Sequence, residues 1–102
     1  MQYQLVLQLP VSSEEDFERM IVVEDELIEG LGGTAEVDGH DAGQGEVNIF
    51  VLTDQPLAVF ERIRVLPRAS ALLSLLRIAY RPLDSDAYRI LHPPSLTHFE
   101  VA

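Results

Sequence analysis

Residues 34–53, Thr-Ala-Glu-Val-Asp-Gly-His-Asp-Ala-Gly-Gln-Gly-Glu-Val-Asn-Ile-Phe-Val-Leu-Thr, constrain the fold more than any other stretch of the chain. Both ends alternate apolar and polar side chains, the period-two signature of a strand with one buried face. Gly39, Gly43 and Gly45 in the middle suit a turn at positive φ or a bulge. The stretch predicts a β-hairpin with strands over 34–40 and 45–53. Ala35, Val37, Val47, Ile49, Val51 and Thr53 would point to the core. Glu36, Asp38, His40, Glu46, Asn48 and Phe50 would share the opposite face, with Asp41 at the tip.

Two strands alone are not stable in water, so the flanking sequence must supply partners. Residues 2–9 alternate in the same way, with Tyr3, Leu5, Leu7 and Leu9 on one face and Gln2, Gln4, Val6 and Gln8 on the other; Pro10 ends the run. Ser12 followed by Glu15 is a capping-box pattern, with Ser13 as the alternative cap. A helix is expected from there to about Glu29, with Phe17, Met20, Ile21, Leu27, Ile28 and Leu31 inward, stopped by Gly30, Gly32 and Gly33. After the hairpin, Asp54 would cap a second helix with Pro56 in its first turn and Leu57, Phe60, Ile63 and Leu66 inward, broken by Pro67. Residues 69–76 predict a further helical turn. Residues 77–83 and 87–92 predict two strands joined by Asp84-Ser85-Asp86, with Tyr80 and Tyr88 as a cross-strand pair. Residues 93–102, opening with Pro93-Pro94, read as an extended strap or a mobile end.

The resulting order, βαββαβ with an extra C-terminal strand, belongs to the α+β class: an antiparallel sheet with two helices on one face. At 102 residues the chain has the length of one domain, 1–102, with 93–102 as its tail. The pattern resembles the ferredoxin-like α/β plait up to about His92. That resemblance implies a first and a third strand side by side in the middle of the sheet. The run Asp38-Gly-His-Asp-x-Gly-x-Gly-Glu46-x-Asn48-Ile-Phe50 also resembles a group of small uncharacterised bacterial proteins, a likeness that carries over no activity and no site residue. The plait hosts many unrelated functions, so function has to be read from side chains.

Charge is the clearest functional signal. The net charge is −10, and residues 1–54 carry 13 acids against the single Arg19, while residues 55–102 carry four acids against six arginines. A surface of this kind disfavours nucleic acid and anionic membranes, both of which reward basic residues. The open-face aromatics that bind RNA in plait domains are reduced here to Phe50. All seven basic residues are arginine, so a Schiff-base or phosphate-loop lysine is excluded. There is no cysteine for a disulfide, a thiol nucleophile or a thiolate metal site. No apolar run approaches the roughly 20 residues that span a bilayer, and the start lacks signal-peptide features, so a cytoplasmic location is expected.

Asp38, His40, Asp41 and Glu46 are residue types that bind Zn or Mn, and His40 with Asp38 or Glu46 has the composition of an acid–base pair. No nucleophile elbow, phosphate loop or cofactor motif accompanies them, so no catalytic residue, metal or cofactor is assigned. The expectation is a non-enzymatic module that binds a basic protein. Its negative patch is Glu24, Asp25, Glu36, Asp38 and Glu46, with His40, Asp41 and Asn48 beside it and Phe50 as an apolar anchor. Immunity proteins and antitoxins that neutralise basic toxins have this size and charge. The alternative is a homodimeric plait that binds a small ligand or metal between polar sheet faces at the 36–48 hairpin, with His40 as the key residue. A third reading is a catalytic version of that cavity.

Overall fold

A computed structural model describes residues 1–101. It contains β1 (Tyr3–Pro10), α1 (Glu14–Gly30), a 3-10 turn (Gly32–Thr34), β2 (Ala35–Gly43) and β3 (Glu46–Thr53). These are followed by α2 (Pro56–Ile63), α3 (Pro67–Ala71), β4 (Arg77–Pro82) and β5 (Arg89–His92). The five strands form one antiparallel sheet in the order β2-β3-β1-β4-β5, so β1 and β3 pair near its centre. The fold is α+β, with a five-stranded antiparallel sheet and three helices.

The register sorts the side chains into two faces. In an antiparallel sheet directly opposed residues lie on the same side. One face carries rows such as Tyr80–Leu5–Val51–Val37 and Ile78–Leu7–Ile49. Leu5, Leu7, Ile49, Val51 and Ile78 there are fully buried, in one cluster with Met20, Val23 and Leu27 of α1, Val59 and Ile63 of α2 and Ala69 of α3. All three helices therefore cover the same face.

The helices differ from expectation in detail. Ser13, not Ser12, caps α1: its hydroxyl accepts the Asp16 N–H, while the Asp16 carboxylate accepts the N–H of Ser12. Ile28 is 58 % exposed, because Met20, Val23 and Leu27 already fill the buried stripe. Gly32, at φ +57, takes the left-handed position that ends the helix. Asp54 does not cap α2. Gln55 stands at that position without a side-chain cap, and Asp54 instead accepts the N–H of Gln2 at 2.9 Å. Val59 takes the inward position expected of Leu57, which is 57 % exposed. The 69–76 turn begins earlier, as α3 over Pro67–Ala71.

The C-terminal segment crosses the second face, as the strap reading of residues 93–102 implies. Val6 and Ala79, which point away from the helices, are fully buried, and Gln8 and Asn48 are each 2 % exposed. The Gln8 side-chain amide donates to the backbone carbonyl of Glu100 at 2.9 Å. Phe99 packs on Tyr88 with ring centroids 5.0 Å apart. The segment from Pro93 is thus a strap. Tyr88 does not face Tyr80, because β5 starts at Arg89, opposite Tyr80; Tyr80 makes an edge-on contact with Tyr3 instead. His92 lies opposite Ile78 and fastens β5 to the helix layer through a 2.8 Å hydrogen bond to the carbonyl of Leu73.

Candidate functional site

The hairpin turns on Gln44 and Gly45, both at positive φ, with Gly43 opposite Glu46. Its decisive feature lies one step earlier. Val37 pairs with Val51, but the next paired residue is His40, opposite Ile49, so residues 38 and 39 form a bulge with Gly39 at φ +100. An inserted residue transfers every later side chain to the other face. His40 therefore lies on the helix side of the sheet and Asp41 on the strap side, the reverse of what strict alternation implies.

On the helix side, His40 sits edge-on against Phe17 of α1, with centroids 5.9 Å apart. Its Nδ1 is 3.0 Å from both carboxylate oxygens of Glu24. A carboxylate accepts and does not donate, so Nδ1 carries the proton. Glu24, 12 % exposed, is thereby tied to the edge strand and is not part of a free acidic surface.

On the strap side, Arg77, Gln8, Asn48 and Asp41 form one row across four strands. Asn48 donates to Asp41 at 3.0 Å and Gln8 donates to Asn48 at 2.9 Å. Glu46 accepts from Arg77 at 2.7 Å. His40 and Glu46 are thus on opposite faces of the sheet, and the expected cluster of Asp38, His40, Asp41 and Glu46 is not assembled. Among the described residues no group of three or more His, Asp or Glu side chains is gathered as a metal site requires. Phe50, half-buried, lies on the strap face beside Val6, away from α1.

Several further acids are also engaged. Glu26 accepts the backbone N–H groups of Arg68 and Ala69 at 2.8 and 2.9 Å, which ties the start of α3 to α1. The N–H of Ser12, then the hydroxyls of Ser12 and Ser13 and the charge of Arg19, hold the Asp16 carboxyl below its ordinary range despite an opposing effect of burial. Others have no partner within the described residues. Glu14, Glu18, Asp25 and Glu29 of α1, with Glu36 and Asp38 of β2, are exposed and make no salt bridge or side-chain hydrogen bond there. Helical spacing places the first four on the outward stripe of α1, and α1 packs on β2 through the Glu24–His40 and Phe17–His40 contacts.

Comparison of the chain with family models, curated proteins and solved structures finds no match. The site is accordingly read from its own geometry.

Three features were not singled out as functional in the sequence. One is a cavity of about 250 Å³ where β1, β4 and the start of α2 meet, lined by Tyr3, Tyr80, Asp54, Pro56 and Leu57 among others. A second, of about 410 Å³, lies beside Tyr3 and is bounded by Met1, Pro82, Leu83 and Asp84. The third is a groove of about 410 Å³ between α1 and α3, with Val22, Val23 and Leu72 on its floor and Arg19, Arg68 and Glu18 at its rim. Tyr3 and Tyr80 read as ordinary strand residues, and only the sheet register brings them together.

Proposed function

We propose that the chain is a ferredoxin-like plait, extended by β5, that works as a non-enzymatic binding module for a basic protein. The plait reading is supported by the order β2-β3-β1-β4 of the first four strands and by helices confined to one face. The binding reading is carried by one observation. Glu14, Glu18, Asp25 and Glu29 on the outer stripe of α1, with Glu36 and Asp38 on the edge strand, form no ion pair among the described residues. Most of the arginines are committed elsewhere: Arg62 to the Gly30 carbonyl, Arg64 to Glu61, Arg77 to Glu46 and Arg81 to carbonyls near the β4 turn. Like charges held close in a folded chain repel, and a basic partner relieves that repulsion while being steered onto the surface.

The acidic surface is thus the α1 stripe, Glu14, Glu18, Asp25 and Glu29, together with the edge-strand acids Glu36 and Asp38, of which Glu36, opposite Leu52, lies on the strap side. Glu24 and Glu46 are withdrawn from it by His40 and Arg77, and Phe50 lies on the strap face, the side of Glu36 and away from the α1 stripe. Neutralisation of a basic toxin, as by an immunity protein or antitoxin, is the form of this activity that suits the charge. A dimer enclosing a ligand on the second sheet face is disfavoured, since Gln8 and Asn48 there are buried beneath the strap.

The test is affinity capture at low salt with the wild type and with the triple variant Asp25→Arg, Glu36→Arg, Asp38→Arg. The wild type is expected to enrich a basic protein that elutes with salt and that the variant does not retain. An identical captured set for both proteins would overturn the reading.

A further inference from the structure

We infer that the cavity between Tyr3, Tyr80 and Asp54 takes an arginine side chain presented by the partner. This rests on the basic-partner reading above and gives it a second, apolar contact at the end of the sheet. Tyr3 and Tyr80 meet edge-on, with centroids 5.8 Å apart and planes at 71°, so the contact covers only one of the four ring faces. Tyr3 lines two open pockets, of about 250 and about 410 Å³. Neither hydroxyl makes a hydrogen bond to another described side chain or to the backbone, although both rings are half-buried.

The smaller cavity matches the size of a single side chain, below the ~300 Å³ at which pockets for whole small molecules begin. Its other walls complete a site for an elongated cation. Leu57, 57 % exposed where a helix this short would be expected to bury it, offers an apolar ledge for methylene groups. Asp54 stands at the rim. One of its oxygens accepts the Gln2 N–H, and the other has no partner among the described residues. Asp54 also offsets the positive end of α2, which opens at the cavity. No arginine of this chain lines either cavity, and Asp84 adds a further negative charge to the larger one.

A guanidinium fits this combination better than an ammonium. It is planar, weakly hydrated, stacks on aromatic faces and pairs with a carboxylate through two parallel N–H groups. An ammonium is a strongly hydrated point charge that gains less from a ring face flanked by leucine.

The experiment is a ¹⁵N-resolved NMR titration of the full chain with three capped tripeptides, Ala-Arg-Ala, Ala-Lys-Ala and Ala-citrulline-Ala. Ala-Arg-Ala is expected to give saturable shifts centred on Tyr3, Gln55, Leu57 and Tyr80. The lysine peptide should bind about 3-fold more weakly and the neutral citrulline peptide about 10-fold more weakly. Asp54→Asn, at an exposed position, and Tyr3→Leu should each weaken the arginine peptide by about 5- to 10-fold. The Asp54 variant keeps the test decisive if Tyr3→Leu disturbs β1.

Equal affinity for the arginine and lysine peptides, or shifts centred on the outer stripe of α1 with the cavity unmoved, would overturn the inference. The two proposals fail separately. Partner capture lost in the α1 and β2 charge-reversal variant but unchanged in Asp54→Asn removes the cavity and keeps the acidic surface. Capture retained in the charge-reversal variant removes the acidic surface, whatever the tripeptides show.

Discussion

Gly39→Ala tests the bulge that decides where His40 lies. Gly39 has φ +100, and a β-carbon built there meets nothing within 4 Å. The penalty is therefore backbone strain alone, about 1–2 kcal/mol for an L-residue held in that region. Gly43, four residues on in the same edge strand, is the internal control. Its φ is not in the positive range, and its built β-carbon also meets nothing within 4 Å. Alanine at Gly43 should be neutral or should stabilise by about 0.4–1 kcal/mol through a less flexible unfolded chain. The two variants should thus differ by about 2 kcal/mol, and at roughly 4–8 °C per kcal/mol for a domain of this length their melting temperatures should differ by about 8–16 °C. Thermal and urea unfolding followed by circular dichroism measure both. The Nδ1 resonance of His40 should also change in Gly39→Ala and stay put in Gly43→Ala, since only the bulge holds the ring against Glu24. Equal stabilities and an unmoved His40 resonance would show that the bulge is not what places the imidazole.

Four further outcomes follow from the packing. Leu7→Ala, at a fully buried position in the central strand, should cost about 2–5 kcal/mol in urea unfolding. Glu26→Ala removes the acceptor of two N–H groups at the start of α3 and should cost about 1–2 kcal/mol, with faster amide exchange over Pro67–Ala71. Gln8→Leu strands the buried Asn48 side chain and frees the Glu100 carbonyl; it should cost about 1–3 kcal/mol and raise amide exchange through residues 96–101. Because the folded-state value of the Asp16 carboxyl is lowered, its contribution is complete above the ordinary aspartate range and is lost as pH falls through the lowered value. Unfolding curves of Asp16→Asn should therefore depend less on pH in the acid limb than those of the wild type.

Much of the fold is legible in the sequence because its patterns are local. The alternation of residues 2–9 and of Val47, Ile49 and Val51 places these side chains on the face they occupy in the structure, and the serine pair 12–13 and the glycines at 30, 32 and 33 bracket α1, while which serine and which glycine form the caps is decided by local geometry. Alternation fails at Gly39, where a single inserted residue reverses the facing of His40 and Asp41, and with it the expected site. Nothing in the string Asp-Gly-His-Asp separates a bulge at Gly39 from a turn there, because both exploit the same tolerance of positive φ. In α2, apolar residues stand on more than one side, so Leu57 and Val59 compete for the core until packing against β1 decides in favour of Val59. The pairing of Glu26 with residues 68 and 69, of Gln8 with residue 100 and of Tyr3 with Tyr80 joins positions far apart in sequence, and no period reports it.

The strap lies C-terminal to every strand it covers, and this imposes an order on synthesis. While residues 1–92 emerge from a ribosome, the helices can close over one side of the sheet, but Val6 and Ala79 on the other side have no cover until the segment after Pro93 follows. A nascent chain paused near β5 would present a bare apolar strip edged by unsatisfied amides, the kind of surface on which neighbouring chains aggregate. Strap closure is then the step that ends this exposure.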